Sequence, residues 1–192
     1  MDQVEREAAT DGPVLTAGPA GATPDLLLRL WTDDDIPALL AAHSDPVMRR
    51  WLRHLFTTAE QARQFVASRH ADARAGTRFS FAVLEIADGD RGRLVGSVSL
   101  RGLGGTSNTG EVGYWVVSSM RGRGIAPRAL GLVGDWAFRS RQITRLQLIH
   151  SVGNQASCRV AEKAEFAFSG ILPPLPPEFP EDGHLHIRLT GG

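Results

Sequence analysis

Apolar and polar residues change their spacing along this chain, and the changes separate strands from helices. Leu26, Leu28 and Leu30 alternate with Leu27 and Arg29, the period of two that marks a strand. Thr32 precedes Asp33, Asp34 and Asp35, which reads as a helix start. The hydroxyl can cap free amides and the acids suit the positive end of the helix dipole; Ile36, Leu39, Leu40 and His43 then form one stripe. Ser44-Asp45-Pro46 predicts a short helix through Trp51-Leu52, and Thr57 to Glu60 opens another with Ala62, Phe65, Val66 and Arg69 on one face. The period then returns to two at Phe79, Phe81 and Val83. The turn at 88–92 and the run Leu94 to Leu100 complete an antiparallel hairpin, and Glu111 to Val117 is a third strand.

Ile125, Ala129, Leu132, Val133, Trp136 and Ala137 repeat at helical spacing. Arg145 to His150 is a strand, Asn154 to Ala164 a helix and Phe166 to Ile171 a strand. Five prolines between Leu172 and Pro180 make an extended loop, and Leu185, Ile187 and Leu189 alternate in a last strand. The order predicts an α/β (α+β) domain with a mixed, mostly antiparallel sheet and one parallel crossing. Residues 1–24, rich in Ala, Gly, Pro and Thr without apolar periodicity, read as a disordered or loosely attached arm, and residues 25–192 as one domain.

Composition narrows the function. Lys+Arg and Asp+Glu both number 21, so the formal charge is zero and the basic excess of a nucleic-acid-binding domain is missing. No stretch approaches the roughly 18 apolar residues of a membrane span, and the first residues lack the pattern of a signal peptide. The single cysteine, Cys158, fits a reducing compartment, so a cytoplasmic protein is expected, with no membrane and no nucleic-acid partner. His184 and His186 share one face of the last strand, but the sequence offers no evident third ligand, so no metal is expected; His150 and Cys158 read as structural residues.

The chemistry centres on the strand from Glu111, the turn Arg121-Gly122-Arg123-Gly124 and the helix from Ile125 and Ala126. Free amides at a helix start bind anions, and glycines let a phosphate approach the backbone. A Walker A loop would require Gly-Lys-Ser/Thr, and the dinucleotide fingerprint a third glycine where Pro127 stands; neither is present.

Arg121, Gly124 and Ala126 in R-x-x-G-x-A spacing, followed by Asn154, Ser157, Glu162, Lys163 and Phe166 in N-x-x-S-x-x-x-x-E-K-x-x-F spacing, resemble the GNAT N-acetyltransferase superfamily. The resemblance is to the branch similar to ribosomal-protein N-terminal acetyltransferases, and spans about residues 25 to 190. It implies a splayed central sheet flanked by helices, with acetyl-CoA as co-substrate and no metal. It also implies transfer of the acetyl group to a primary amine, on a protein N-terminus or a small molecule, by direct attack in a ternary complex. The cofactor would meet backbone atoms of Trp115, Val116 and Val117, the turn Arg121, Gly122, Arg123, Gly124, Ile125 and Ala126, and Asn154. Glu111 would be the base, directly or through water, and Ser157 would bond near the CoA sulfur. Tyr114, on the strand face opposite Glu111, reads as core. A homodimer is one arrangement open to such a chain. A catalytically silent CoA-binding or sensor module is the alternative function. Two departures stand out: Glu165 occupies a place where the family has a left-handed glycine, and Pro127 removes an amide from the helix start.

Overall fold

The structure is a computed structural model that describes residues 12–21, 24–51, 55–86, 92–105 and 107–191. In chain order the elements are β1 (Leu15–Ala17), β2 (Asp25–Leu30), α1 (Ile36–His43), α2 (Pro46–Trp51), α3 (Ala59–Arg74), β3 (Arg78–Ile86), β4 (Arg93–Arg101) and β5 (Thr109–Val116). They continue with α4 (Ile125–Ser140), β6 (Arg145–Ser151), α5 (Gln155–Lys163), β7 (Ala167–Leu172) and β8 (Gly183–Leu189). Eight strands form one sheet in the order β1-β2-β3-β4-β5-β6-β8-β7. Every pairing is antiparallel except β5 with β6.

The alternating leucines of β2 explain how the sheet is covered. Leu26, Leu28 and Leu30 join Phe79, Phe81, Val83, Leu146 and Leu148 on the face packed by α4 and α5. Leu27 turns to the other face, where Trp31, Leu39, Ala62 and Val66 pack from the α1–α3 side. Fully burying each such side chain contributes roughly 1.5–3 kcal/mol against the entropy of ordering it. At the first helix start the Asp35 carboxylate accepts from the Thr32 amide at 2.9 Å and from the Thr32 hydroxyl at 3.2 Å, and ahead of α3 Thr58 Oγ1 accepts from the Gln61 amide at 3.2 Å.

The sheet begins earlier than Asp25, where the alternation placed the domain start. Leu15 to Ala17 pairs with Leu28 to Leu26, and Leu15 is buried. A three-residue strand is too short to show a period in an Ala/Gly/Pro-rich stretch. Residues 1–11 and 22–23 of the expected arm, and the hairpin turn at 87–91, lie outside the described residues.

Candidate functional site

The parallel pairing of β5 with β6 runs only from Thr109↔Arg145 to Val112↔Leu148. β5 continues to Val116 and β6 to Ser151, so the two strands part and leave a gap in the middle of the sheet. Along a strand, backbone groups point alternately to one neighbour and the other. The Val117 amide donates to the Val95 carbonyl at 3.0 Å. A Cβ on Gly96 would lie 2.5 Å from the Trp115 carbonyl oxygen, so that group also points to β4. The groups that face the gap are therefore those of Tyr114 and Val116. Of the three residues expected to offer backbone atoms, Val116 keeps that orientation, whereas Trp115 and Val117 are turned to β4.

The turn after β5 is built by two left-handed glycines. Gly122 has φ 77° and Gly124, the N-cap of α4, has φ 75°. A residue with a Cβ is strained in that region. Residues 121–124 are exposed while Ile125 and Ala126 are buried, so the side chains anchor the helix and the turn's backbone faces solvent. Pro127 sits in the first turn and contributes no amide. The two arginines are less available than their sequence position suggests. Arg121 Nε donates to the Val116 carbonyl at 3.1 Å, and its guanidinium lies 3.4 Å from Asp45, which also accepts from Ser118. Asp45 caps the Val47 amide at 2.8 Å, so Arg121 ties the turn to the start of α2. Arg123 approaches Glu85 at 3.9 Å. Both guanidiniums already have acidic partners, which leaves the backbone as the principal anion-binding surface.

On the far side of the gap, Asn154 caps α5: its side-chain oxygen accepts from the Ser157 amide at 3.2 Å. That cap fixes the first turn and aims the buried Ser157 hydroxyl at β5, where Tyr114 Oη donates to Ser157 Oγ at 3.0 Å. Burial raises the Tyr114 pKa above its ordinary 10, the Ser157 bond opposes the rise and Cys158 adds to it. Tyr114 is thus a protonated donor that leaves the Ser157 proton free to point elsewhere. The period of two correctly set Tyr114 opposite Glu111. Tyr114 packs against the core as that reading had it, and α5, which begins on that face, adds the bond to Ser157.

Glu111 lies on the other face of β5, ion-paired with Arg101 across the β4–β5 ladder. Gly113 and Trp115 follow it on that face, and Trp115 stacks on Trp31 with ring centroids 6.2 Å apart. His43 meets Trp115 edge-on at 6.0 Å and stacks on Phe56 at 4.4 Å, so an aromatic wall rises beside the gap. Of the segment that leads from α2 to α3, Phe56 joins this wall; residues 52–54 lie outside the described residues. The structure does not bring Glu111 and Ser157 together. It sets them on opposite faces of the sheet, with β5 between.

The histidine reading is corrected. His184 and His186 do have further ligand-type neighbours: His150 from β6 and Cys158 from α5 converge on them. Glu165 does adopt the left-handed conformation, φ 65°, and its carboxylate pairs with Arg188 at 2.9 Å, which also holds Asp135 at 2.8 Å.

A sheet parted between two parallel strands, with a glycine turn and helix start at the mouth, defines the class. Residues 25–167 match the family model described as "Acetyltransferase (GNAT) domain", and the chain belongs to that family. Among curated relatives, YdaF of Bacillus subtilis (strain 168), named as a ribosomal N-acetyltransferase, is 32% identical over 79 residues, 41% of this chain and 43% of that protein. The ribosomal-protein-serine acetyltransferase of Escherichia coli (strain K12) is 29% identical over 96 residues, 50% of this chain and 52% of that protein. The matched stretch thus spans about half the length of these relatives. Among solved structures, Mycobacterium smegmatis RimJ in complex with CoA-disulfide superposes with a TM-score of 0.77 at 21% identity, covering 93% of this chain and 86% of that one. Among the described residues no helix is long and apolar enough to cross a membrane.

Proposed function

We propose that the protein is an acetyl-CoA-dependent N-acetyltransferase that acetylates a primary amine by direct attack in a ternary complex. The single observation that carries this reading is the β5–β6 gap, bounded by the glycine turn on one side and by the Tyr114–Ser157 pair on the other. The amides of residues 122–126 would take the pyrophosphate at the start of α4. Gap-facing groups of Tyr114 and Val116 would pair with the pantetheine arm. Asn154 contributes through its cap on α5, and its side-chain NH2 keeps its donors for the same arm.

The amine attacks the thioester carbon, a C–N bond forms and the C–S bond breaks with its electron pair on sulfur. Ser157 supplies a proton to the thiolate, Tyr114 restores the Ser157 proton along their 3.0 Å bond, and solvent returns a proton to Tyr114. An ammonium must first lose a proton, to Glu111 directly or through water. The second nitrogen proton leaves as the amide forms, so one proton is released overall.

The relatives named for ribosomal proteins support a protein N-terminus as acceptor; a small-molecule amine fits the same gap. The test is thiol release from acetyl-CoA over a panel of amines that includes peptides with free N-termini. Amine-dependent release supports the reading. Tight acetyl-CoA binding without turnover on any amine would favour a catalytically silent CoA-binding module.

A further inference from the structure

Beneath α5, four side chains with metal-ligand chemistry meet although they come from three elements. His150 lies near the end of β6, Cys158 on the first turns of α5, and His184 and His186 on β8. The β6–β8 register sets His150 opposite His184 and Leu148 opposite His186, which puts all three imidazoles on the face that α5 covers. One ligand atom from each of the four lies within 4.8 Å of the others. Cys158 Sγ is 3.2 Å from His184 Nδ1 and 3.6 Å from His150 Nε2. Zinc–sulfur and zinc–nitrogen bonds of about 2.3 and 2.0–2.1 Å place tetrahedral S and N ligands about 3.5–3.6 Å apart, which the 3.6 Å separation meets and the 3.2 Å one reaches with a shift of a few tenths of an ångström.

Two further observations point to a ligand. His186 is 1% exposed, and neither of its ring nitrogens makes a hydrogen bond of good geometry, with the Phe166 backbone close by. A buried imidazole without a partner is costly unless something fills the role. His150 Nδ1 is 2.9 Å from the Ser151 carbonyl; a proton on Nδ1 satisfies that bond and leaves the Nε2 lone pair facing Cys158. This is the outer-shell arrangement that orients metal-bound histidines.

We propose that His150, Cys158, His184 and His186 form a four-coordinate site for a borderline-soft divalent cation, zinc in particular. Three imidazoles and one thiolate suit zinc and select against magnesium and calcium, which take oxygen ligands. Binding releases the Cys158 proton and leaves the histidines neutral. The ion ties α5 to β6 and β8 one residue from Ser157. Its role is positional: it holds the first turn of α5 against the sheet.

The test uses tag-free, chelator-stripped protein titrated with cobalt(II), a spectroscopic stand-in for zinc. The site requires one equivalent bound, with a thiolate-to-cobalt charge-transfer band and tetrahedral visible bands, all displaced by zinc. Cys158→Ser must abolish the charge-transfer band. His184→Asn must weaken binding by more than the roughly 10–100-fold typical of losing an outer-shell partner. Zinc should raise the melting temperature by about 5–10 °C at a hundredfold excess over its dissociation constant. A spectrum without the thiolate band, or one unchanged in Cys158→Ser, overturns the proposal. Should a variant fail to fold, the wild-type protein still decides. Zinc must slow alkylation of Cys158 at least about tenfold, because a metal-bound thiolate is shielded, and an unchanged rate contradicts the site.

Discussion

The two sides of the β5–β6 gap are built on opposite principles. The α4 side is contiguous in sequence and works through backbone: Gly122 and Gly124 set the turn, and the side chains of Arg121 and Arg123 are committed to Asp45 and Glu85. The α5 side is assembled from distant residues and works through side chains: Tyr114 of β5 meets Ser157 of α5, and residues of β6 and β8 close in beneath. The first side should therefore respond to backbone geometry and affect affinity, and the second to single polar atoms and affect turnover.

The largest effect expected lies on neither of these surfaces but on the opposite face of β5. If Glu111 takes the amine proton, Glu111→Gln should lower turnover roughly 10²–10⁴-fold at unchanged acetyl-CoA affinity. The deficit should shrink at high pH, where free amine forms unaided. Steady-state rates across pH, with calorimetry for affinity, check it; wild-type turnover in Glu111→Gln would assign the proton to water.

Gly124→Val breaks the backbone side. A β-branched residue at φ 75° is strained by about 1–3 kcal/mol, so the turn must shift and its amides lose their convergence, and acetyl-CoA affinity should fall. Calorimetry on the folded variant measures this, and unchanged affinity would remove the turn from the cofactor site.

Ser157→Ala and Tyr114→Phe probe the side-chain side. Each removes one neutral hydrogen-bonding group, worth about 0.5–1.5 kcal/mol, so turnover should fall about 2–12-fold. Burial raises the Tyr114 pKa, so the phenol stays protonated throughout the ordinary working range below 10. The loss in both variants should then be nearly independent of pH, unlike that of Glu111→Gln. The same shift has a stability consequence. Above pH 10 the unfolded phenol ionises first, so the unfolded state binds fewer protons than the folded one and stability falls as pH rises further. In Tyr114→Phe that part of the alkaline loss should disappear from melts recorded across pH.

The smallest effect is expected at Glu165. Glu165→Gly relieves about 1 kcal/mol of left-handed strain and gives up an exposed ion pair worth about 0–1 kcal/mol. Arg188 keeps Asp135, so the melting temperature should stay level or rise by no more than about 2–4 °C.

What the sequence disclosed follows the same division. Alternation in β2 to β5 and the long apolar stripe of α4 are local patterns, and the elements form where they predict. The glycine turn was legible because two glycines ahead of a helix already specify its conformation. β1 was not, because three residues carry no period. The partners of Tyr114, His150 and Cys158 were not either, because their meeting depends on the β6–β8 register and on the face that α5 covers, which no local spacing encodes. Arg121 and Arg123 looked available to phosphate for the same reason: Asp45 and Glu85 lie far away in sequence.

The central claim is that acetyl-CoA occupies the gap with its pyrophosphate on the α4 turn. Amide hydrogen exchange with and without acetyl-CoA tests it most directly, because the proposed contacts are backbone donors. Protection on binding should appear at Tyr114, Val116 and residues 122–126, with little change at Trp115 and Val117, whose amides already face β4. Protection elsewhere, with these amides exchanging as in the free protein, would contradict the account.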